Sequence, residues 1–229
     1  MNCRIISSSS KGNCTILNDV IAIDMGVTYK KIKDEDIKLV LLTHIHTDHF
    51  NKTTIKRLAF EHPNIKFVCL KHLEEELLKL VNKDFIYVLE PYKLYDLGLC
   101  KLSSFMLVHD VPNCGYRIEI EGKKCLYATD TSTLDINAKN YDLYLVEANY
   151  DELETINRIN KKRQSGEYIY EFRAMNNHLS KNQCEAFLKR NMGKNSIFIP
   201  MHEHKEKEWT IERKQRIYHL NLKKNVWRY

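Results

Sequence analysis

Residues 44 to 49 read His44-Ile45-His46-Thr47-Asp48-His49, four metal-binding side chains in six positions. Imidazole nitrogen suits zinc, manganese and iron alike. A carboxylate in the same group adds a hard, anionic ligand, which favours a hydrolytic centre over a closed structural one. The run follows an apolar stretch, Lys38 to Thr43, expected to be a strand. In extended chain, residues two apart point to the same side, so His44 and His46 are expected to grip one cation together. Asp48 and His49, where the chain turns toward a helix, can aim at a second. Four such groups crowded at a strand end are costly unless something binds them.

The elements that must position these groups follow from hydrophobic pattern. Strands are expected over Cys3 to Ser7, Val20 to Asp24, Lys38 to Thr43, Lys66 to Leu70, Phe85 to Leu89, Lys101 to His109, Tyr116 to Ile120, Lys123 to Thr129, Tyr141 to Glu147 and Ser196 to Met201. Helical periods cover Thr53 to Glu61, His72 to Val81, Asp151 to Asn160 and Lys181 to Asn191, the last opened by Ser180 as N-cap. The order is mixed, which disfavours a doubly wound parallel sheet and favours an α+β layered sandwich with outer helices. One domain over residues 1–229 is expected. It carries a divergent arm at about 151–177, with Lys161-Lys162-Arg163 and the aromatics Tyr168, Tyr170 and Phe172, and a basic tail at about 205–229 read as a charged edge strand.

The chain has 229 residues, of which 43% are apolar and 10% aromatic, enough for a full core, so disorder and fibrous repeats are excluded. Lys and Arg number 36 against 30 Asp and Glu, a net charge of +6 that tolerates a polyanionic partner without requiring one. Seven cysteines form no C-x-x-C pair, which fits neither a disulfide framework nor a cysteine zinc knuckle. The first ten residues lack the apolar core of a signal peptide, and no run approaches the roughly 20 apolar residues of a spanning helix. A cytoplasmic protein without membrane partners is the expectation.

The H-x-H-x-D-H run after a strand resembles the signature of the metallo-β-lactamase superfamily. The resemblance implies a four-layer αβ/βα sandwich with two divalent metal ions, zinc or manganese, at one edge of the sheets. It also implies three downstream ligands, and His109, Asp130 and His202 each follow an apolar run in the expected order. Carried over, one metal falls to His44, His46 and His109 and the other to Asp48, His49 and His202, with Asp130 shared. His204 lies two residues beyond His202 and is the alternative there. Asp24 is expected to hold a ligand or the 44 to 49 loop in place, since ligating histidines donate their free N–H to such a carboxylate. His62, His72, His204 and His219 are left as surface residues.

Asp130 stands where secreted β-lactamases have cysteine, which argues against antibiotic hydrolysis. Leu145-Val146-Glu147-Ala148-Asn149 and Asn177-His178-Leu179-Ser180 resemble elements of the tRNase Z group, and the second is similar to the YycJ/WalJ-like branch. So are Ser7 to Cys14, Ile23 to Gly26, and Val108-His109-Asp110 leading to Gly115-Tyr116-Arg117. In such phosphodiesterases a metal-bound hydroxide attacks phosphorus. His178 is then the expected general acid, oriented by Glu147, with Asp48 counted beside them. Nucleic acid and a cyclic nucleotide are equally expected substrates, the second because anti-Pycsar phosphodiesterases share these elements. A glyoxalase-type thioester hydrolase is the alternative, but it leaves Glu147 and His178 unexplained. A homodimer is compatible with the family.

Overall fold

The β-branched runs at the start of the chain form a sheet of six strands in chain order: β1 (Cys3–Ser9), β2 (Gly12–Leu17), β3 (Ile21–Ile23), β4 (Leu39–Leu41), β5 (Lys66–Leu70) and β6 (Ile86–Leu89). The first three pair antiparallel through short turns. From β3 to β6 the pairing is parallel, which needs crossovers, and helices α1 (Lys52–Glu61) and α2 (Lys71–Leu78) supply two of them. Ile55 and Leu58 of α1 and Leu73 and Leu77 of α2 bury with Val40, Phe67 and Cys69 of the sheet in one core. Asn51 opens α1 by accepting from the N–H of Thr54.

This computed structural model describes residues 1–202 together with 219–221 and 226–228. The chain falls into two compact units, one of Met1–Met106 and Val111–Gly122, the other of Leu107–Asp110 and Lys123–Tyr229. The first unit also carries β7 (Leu94–Asp96), antiparallel to β8 (Lys101–Leu107), of which all but Leu107 belongs to it, and β9 (Asn113–Ile120).

In the second unit β10 (Lys123–Ala128), β11 (Leu143–Glu147) and β12 (Ile197–Met201) form a parallel ladder, with Glu147 opposite Met201 at its end. The β11 to β12 crossover contains α3 (Glu152–Ser165), α4 (Glu171–Asn177) and α5 (Lys181–Asn191). Ser180 caps α5 in a reciprocal pair with Gln183, and Cys184, Phe187 and Leu188 form its buried face. Every residue of β11 is buried, as a parallel strand covered on both faces requires.

Several expectations need correction. The strand before the histidine run stops at Leu41, two residues short of Thr43, and that before His109 stops at Leu107. β2, β7 and α4 are additional elements. The arm is two helices, the first running on to Ser165. In the tail, β13 (His219–Asn221) and β14 (Val226–Arg228) pair with each other antiparallel, so these strands form their own two-stranded sheet. The remainder of the tail, His204 included, lies outside the described residues. None of the described cysteines is joined in a disulfide, and six of the seven are buried. Among the described residues no helix is long and apolar enough to cross a membrane.

Candidate metal centre

In the first unit the histidine run is a loop. His46 O accepts from the N–H groups of both His49 (2.9 Å) and Phe50 (2.7 Å), so residues 46 to 50 turn back on themselves. The two-residue periodicity of a strand therefore does not bring His44 and His46 together. They still meet edge-on, with ring centroids 4.9 Å apart, and His44 lies nearer to His49, at 4.2 Å.

Asp24 organises this loop. It follows β3 with φ 59°, a left-handed conformation that few non-glycine residues adopt, and is fully buried. Its Oδ1 accepts from Thr43 N (3.0 Å) and Thr43 Oγ1 (2.8 Å), and its Oδ2 lies 2.7 Å from His49 Nδ1. His49 therefore carries its proton on Nδ1 and offers Nε2. Thr43 Oγ1, its proton given to Asp24, accepts from His44 Nδ1 at 3.0 Å and sets the same tautomer there. One carboxylate thus orients two imidazoles, the arrangement that metal-ligating histidines need.

Further contacts set the position of the loop. Met25 N donates to His49 O and Asn13 N to Asp48 O, laying the loop along the β3 exit. A side chain on Gly26 has no room there, since its Cβ would stand 1.6 Å from Asp48 O. Asn13 Nδ2 lies 2.8 Å from His49 Nε2 and 3.2 Å from Asp48 Oδ2. His72, expected at the surface, is half-buried instead and places Nε2 2.9 Å from Thr43 O, bracing the residue before His44. Burial lowers its pKa against the pull of that hydrogen bond.

In the second unit the groups come from five separate places. His109 lies beyond β8 and is tied to the residues after Asp130 through Val108, which donates to Thr131 Oγ1 and accepts from Ser132 N. Its Nδ1 donates to Asn177 O at 3.0 Å. Burial pushes its pKa down, against the neighbouring Asp130 and Asp110, and so favours the neutral ring a metal ligand must present. Asp130 (φ 58°) and His202 (φ 51°) sit just beyond β10 and β12 in the same left-handed conformation as Asp24. Such outliers cost on the order of 1 to 3 kcal/mol each and gather at functional sites.

Asp130, Glu147, His178 and His202 converge, each offering a ligand atom within 4.8 Å of the others. Glu147, the buried last residue of β11, links them. Its Oε2 accepts from Thr131 N (3.0 Å) and Leu179 N (3.2 Å), the residues directly after Asp130 and His178. Its Oε1 lies 2.7 Å from His178 Nδ1 and 3.2 Å from His202 Nδ1. Burial opposes its ionisation, but the hydrogen bonds from His178 and His202 outweigh it and hold its pKa below the ordinary value. Asn149 Nδ2 donates to His202 O at 2.8 Å and steadies that left-handed residue.

The donors suit divalent metal cations. They are nitrogen and oxygen groups with no thiol among them. His44, His49, Asp130 and His202 are all buried, and His49 and His109 have one ring nitrogen tied to oxygen. Asn13, Gly26, Thr43 and Asn149 escape a reading by residue type, because amides, a glycine and a threonine advertise no chemistry.

The family model described as "Beta-lactamase superfamily domain" matches residues 25–203, which takes in all of these groups except Asn13 and Asp24. The chain belongs to this superfamily. It is 28% identical over 168 residues to the exodeoxyribonuclease WalJ of Streptococcus pneumoniae; the match covers 64% of the chain and 62% of that relative. The chain thus spans less than two thirds of the relative's length. Solved structures share its α+β metallo-β-lactamase fold. YhfI from Bacillus subtilis superposes with a TM-score of 0.66 at 17% identity, covering 88% of this chain and 85% of that one. Human tRNase Z, short form, gives 0.66 at 15% identity, covering 95% and 98%. A diphosphatase of the PhnP family gives 0.60 at 13%, covering 88% and 85%.

Proposed function

We propose that the chain is a hydrolase of phosphodiester bonds that requires two divalent metal ions, zinc or manganese, and acts on nucleic acid. The observation that carries this reading is the hydrogen bond between His178 and the buried Glu147, set beside Asp130 and His202. A superfamily thioesterase needs no such pair, whereas a phosphodiesterase must protonate a leaving alkoxide. The exodeoxyribonuclease relative supports the same choice of substrate.

On this reading His44, His46, Asp48, His49, His109, Asp130 and His202 hold the metals. When bound, two such ions neutralise phosphate charge and bring the pKa of a water near 7. His178 does the remaining proton work. With Nδ1 turned to Glu147, it presents Nε2–H to a leaving oxygen, and its side chain keeps some exposure to solvent, as a donor to an incoming substrate must. Glu147 is fully committed to four hydrogen-bonding partners, so it acts as an orienting acceptor and not as a mobile base.

The test is a panel of linear DNA, RNA, cyclic nucleotides and a glutathione thioester, offered to the full chain with zinc or manganese and to Asp130→Asn and His178→Ala. The expected result is cleavage of linear nucleic acid, lost in both variants, with metal content retained in His178→Ala. Turnover of the thioester with every phosphodiester left intact overturns the reading. His178→Ala at full activity removes His178 from it.

A further inference from the structure

Among the described residues, five of the exposed large apolar side chains fall within positions 153–172, and three of these are aromatic: Tyr168, Tyr170 and Phe172. Tyr168 is 86% exposed. Side chains of this size are normally withdrawn from water, and a cluster of them marks a binding surface. Cations accompany them. Lys162 Nζ stands 3.7 Å from the centre of the Tyr170 ring, and the Arg163 guanidinium 5.6 Å from that of Phe172.

These rings are held in a frame. Glu171, the first residue of α4, is buried and ion-paired with Lys162 of α3 at 2.7 Å. α4 is also fastened by Arg173 and Asn177 to Asp110, each at 3.2 Å, and at its far end by Asn177 O to His109. His178 is the very next residue. α4 therefore connects the aromatic group to the Glu147–His178 pair, and its seven residues span about 10 Å at 1.5 Å per residue. Tyr168 and Tyr170 precede α4 and Phe172 is its second residue, so the rings lie at the end of α4 opposite His178, as contacts with successive nucleotides of a strand require and a single nucleotide does not.

We propose that α3, α4 and the segment between them form a stacking platform for a single-stranded nucleic acid, which leads the strand toward His178. The proposal rests on the phosphodiesterase reading above and specifies its substrate. Every base has a π face, so rings backed by cations bind a strand with little regard to sequence, while exposed Lys161, Arg163 and Arg173 meet its phosphates.

The test is fluorescence anisotropy of a labelled 12-nucleotide DNA strand with the full chain in EDTA, so that the probe is not consumed. Tyr168→Ala and Phe172→Ala are each expected to weaken binding about fivefold or more, and Tyr168→Trp to retain it. Arg163→Ala is expected to flatten the dependence of affinity on salt. Hydrolysis of bis(p-nitrophenyl) phosphate, too small to reach the platform, is expected to be unchanged in the aromatic variants. Wild-type protein that binds no strand, or variants that bind as tightly as wild type, overturn the proposal. So does a wild-type dimer that Tyr168→Ala converts to a monomer, since a second copy then covers this face. A wild-type chain that binds the strand yet leaves the small diester intact with both metals overturns the phosphodiesterase reading and not the platform.

Discussion

Asp24 in the first unit and Glu147 in the second are both fully buried carboxylates at a strand end, and each holds histidines by their Nδ1 side. Asp24 serves a single loop: its partners are Thr43 and His49, seven positions from end to end with His44 between them. Glu147 gathers the backbone after Asp130, the backbone after His178, and the rings of His178 and His202, partners spread over 72 positions of sequence, 131 to 202. The same physical device organises local chain in one case and distant chain in the other. Removing it should therefore damage one loop in the first unit and several elements at once in the second.

Glu147→Gln gives the sharpest break. A single amide oxygen can face Thr131 and Leu179 or the two imidazoles, but not both, and the amide nitrogen then confronts Nδ1–H groups as a second donor. His178 loses its orientation, and turnover on a phosphodiester is expected to fall by roughly 10²- to 10⁴-fold, the usual weight of a positioned acid. Steady-state kinetics read beside metal content separate this from simple loss of metal. A variant within threefold of wild type, with its metals in place, removes Glu147 from the mechanism.

In the first unit the largest effect comes from a residue with no chemistry of its own. Gly26→Ala sets a methyl group 1.6 Å from Asp48 O, and backbone rather than a flexible side chain must move. Overpacking of this kind costs on the order of 3 kcal/mol or more. Thermal unfolding is expected to shift down by several degrees, with weaker metal retention on dialysis. An unchanged melting temperature with full metal content contradicts the close approach of loop and strand.

Asp24→Asn should do less than Glu147→Gln, because only one loop depends on it. The amide can serve Thr43 or His49 and favours the wrong tautomer of the ring, with the proton on the nitrogen that should ligate. Neighbours of this kind change metal affinity by roughly 10- to 100-fold. Chelator competition with zinc measures this directly, and an affinity within twofold of wild type removes Asp24 from the positioning of the ligands.

The same contrast explains what could be read from the sequence. His44, His46, Asp48 and His49 are adjacent in sequence because one loop presents them, so residue type and spacing suffice. His109, Asp130 and His202 become visible only through a family resemblance, since parallel strands bring together positions that sequence separates. The apolar pattern runs two residues past the strand ends near His44 and His109, because Leu42 and Val108 continue it where the backbone has already left the ladder. β2 was obscured by Gly12 and Asn13, which signal a turn yet pair with Ser9 and Ser8. α4 has no side-chain cap and only seven residues, too few for a helical period to stand out. The left-handed Asp24, Asp130 and His202 are set by tertiary contacts and leave no local signature.

The finest test sets two asparagines against each other. Asn13 Nδ2 donates to His49 Nε2, the nitrogen a metal needs, because Nδ1 is already committed to Asp24. Asn149 instead donates to His202 O, behind the ring, and lies on the Nδ1 side at 3.1 Å. One amide competes with a metal for its ligand while the other supports the ligand's backbone. Each hydrogen bond is worth about 1 kcal/mol, a severalfold change in affinity. Asn149→Ala is therefore expected to weaken zinc binding severalfold, and Asn13→Ala to leave it unchanged or tighten it, as read by isothermal titration of the metal-stripped chain. If both variants weaken binding alike, Asn13 acts as a brace for Asp48 and His49 and the two amides play one role.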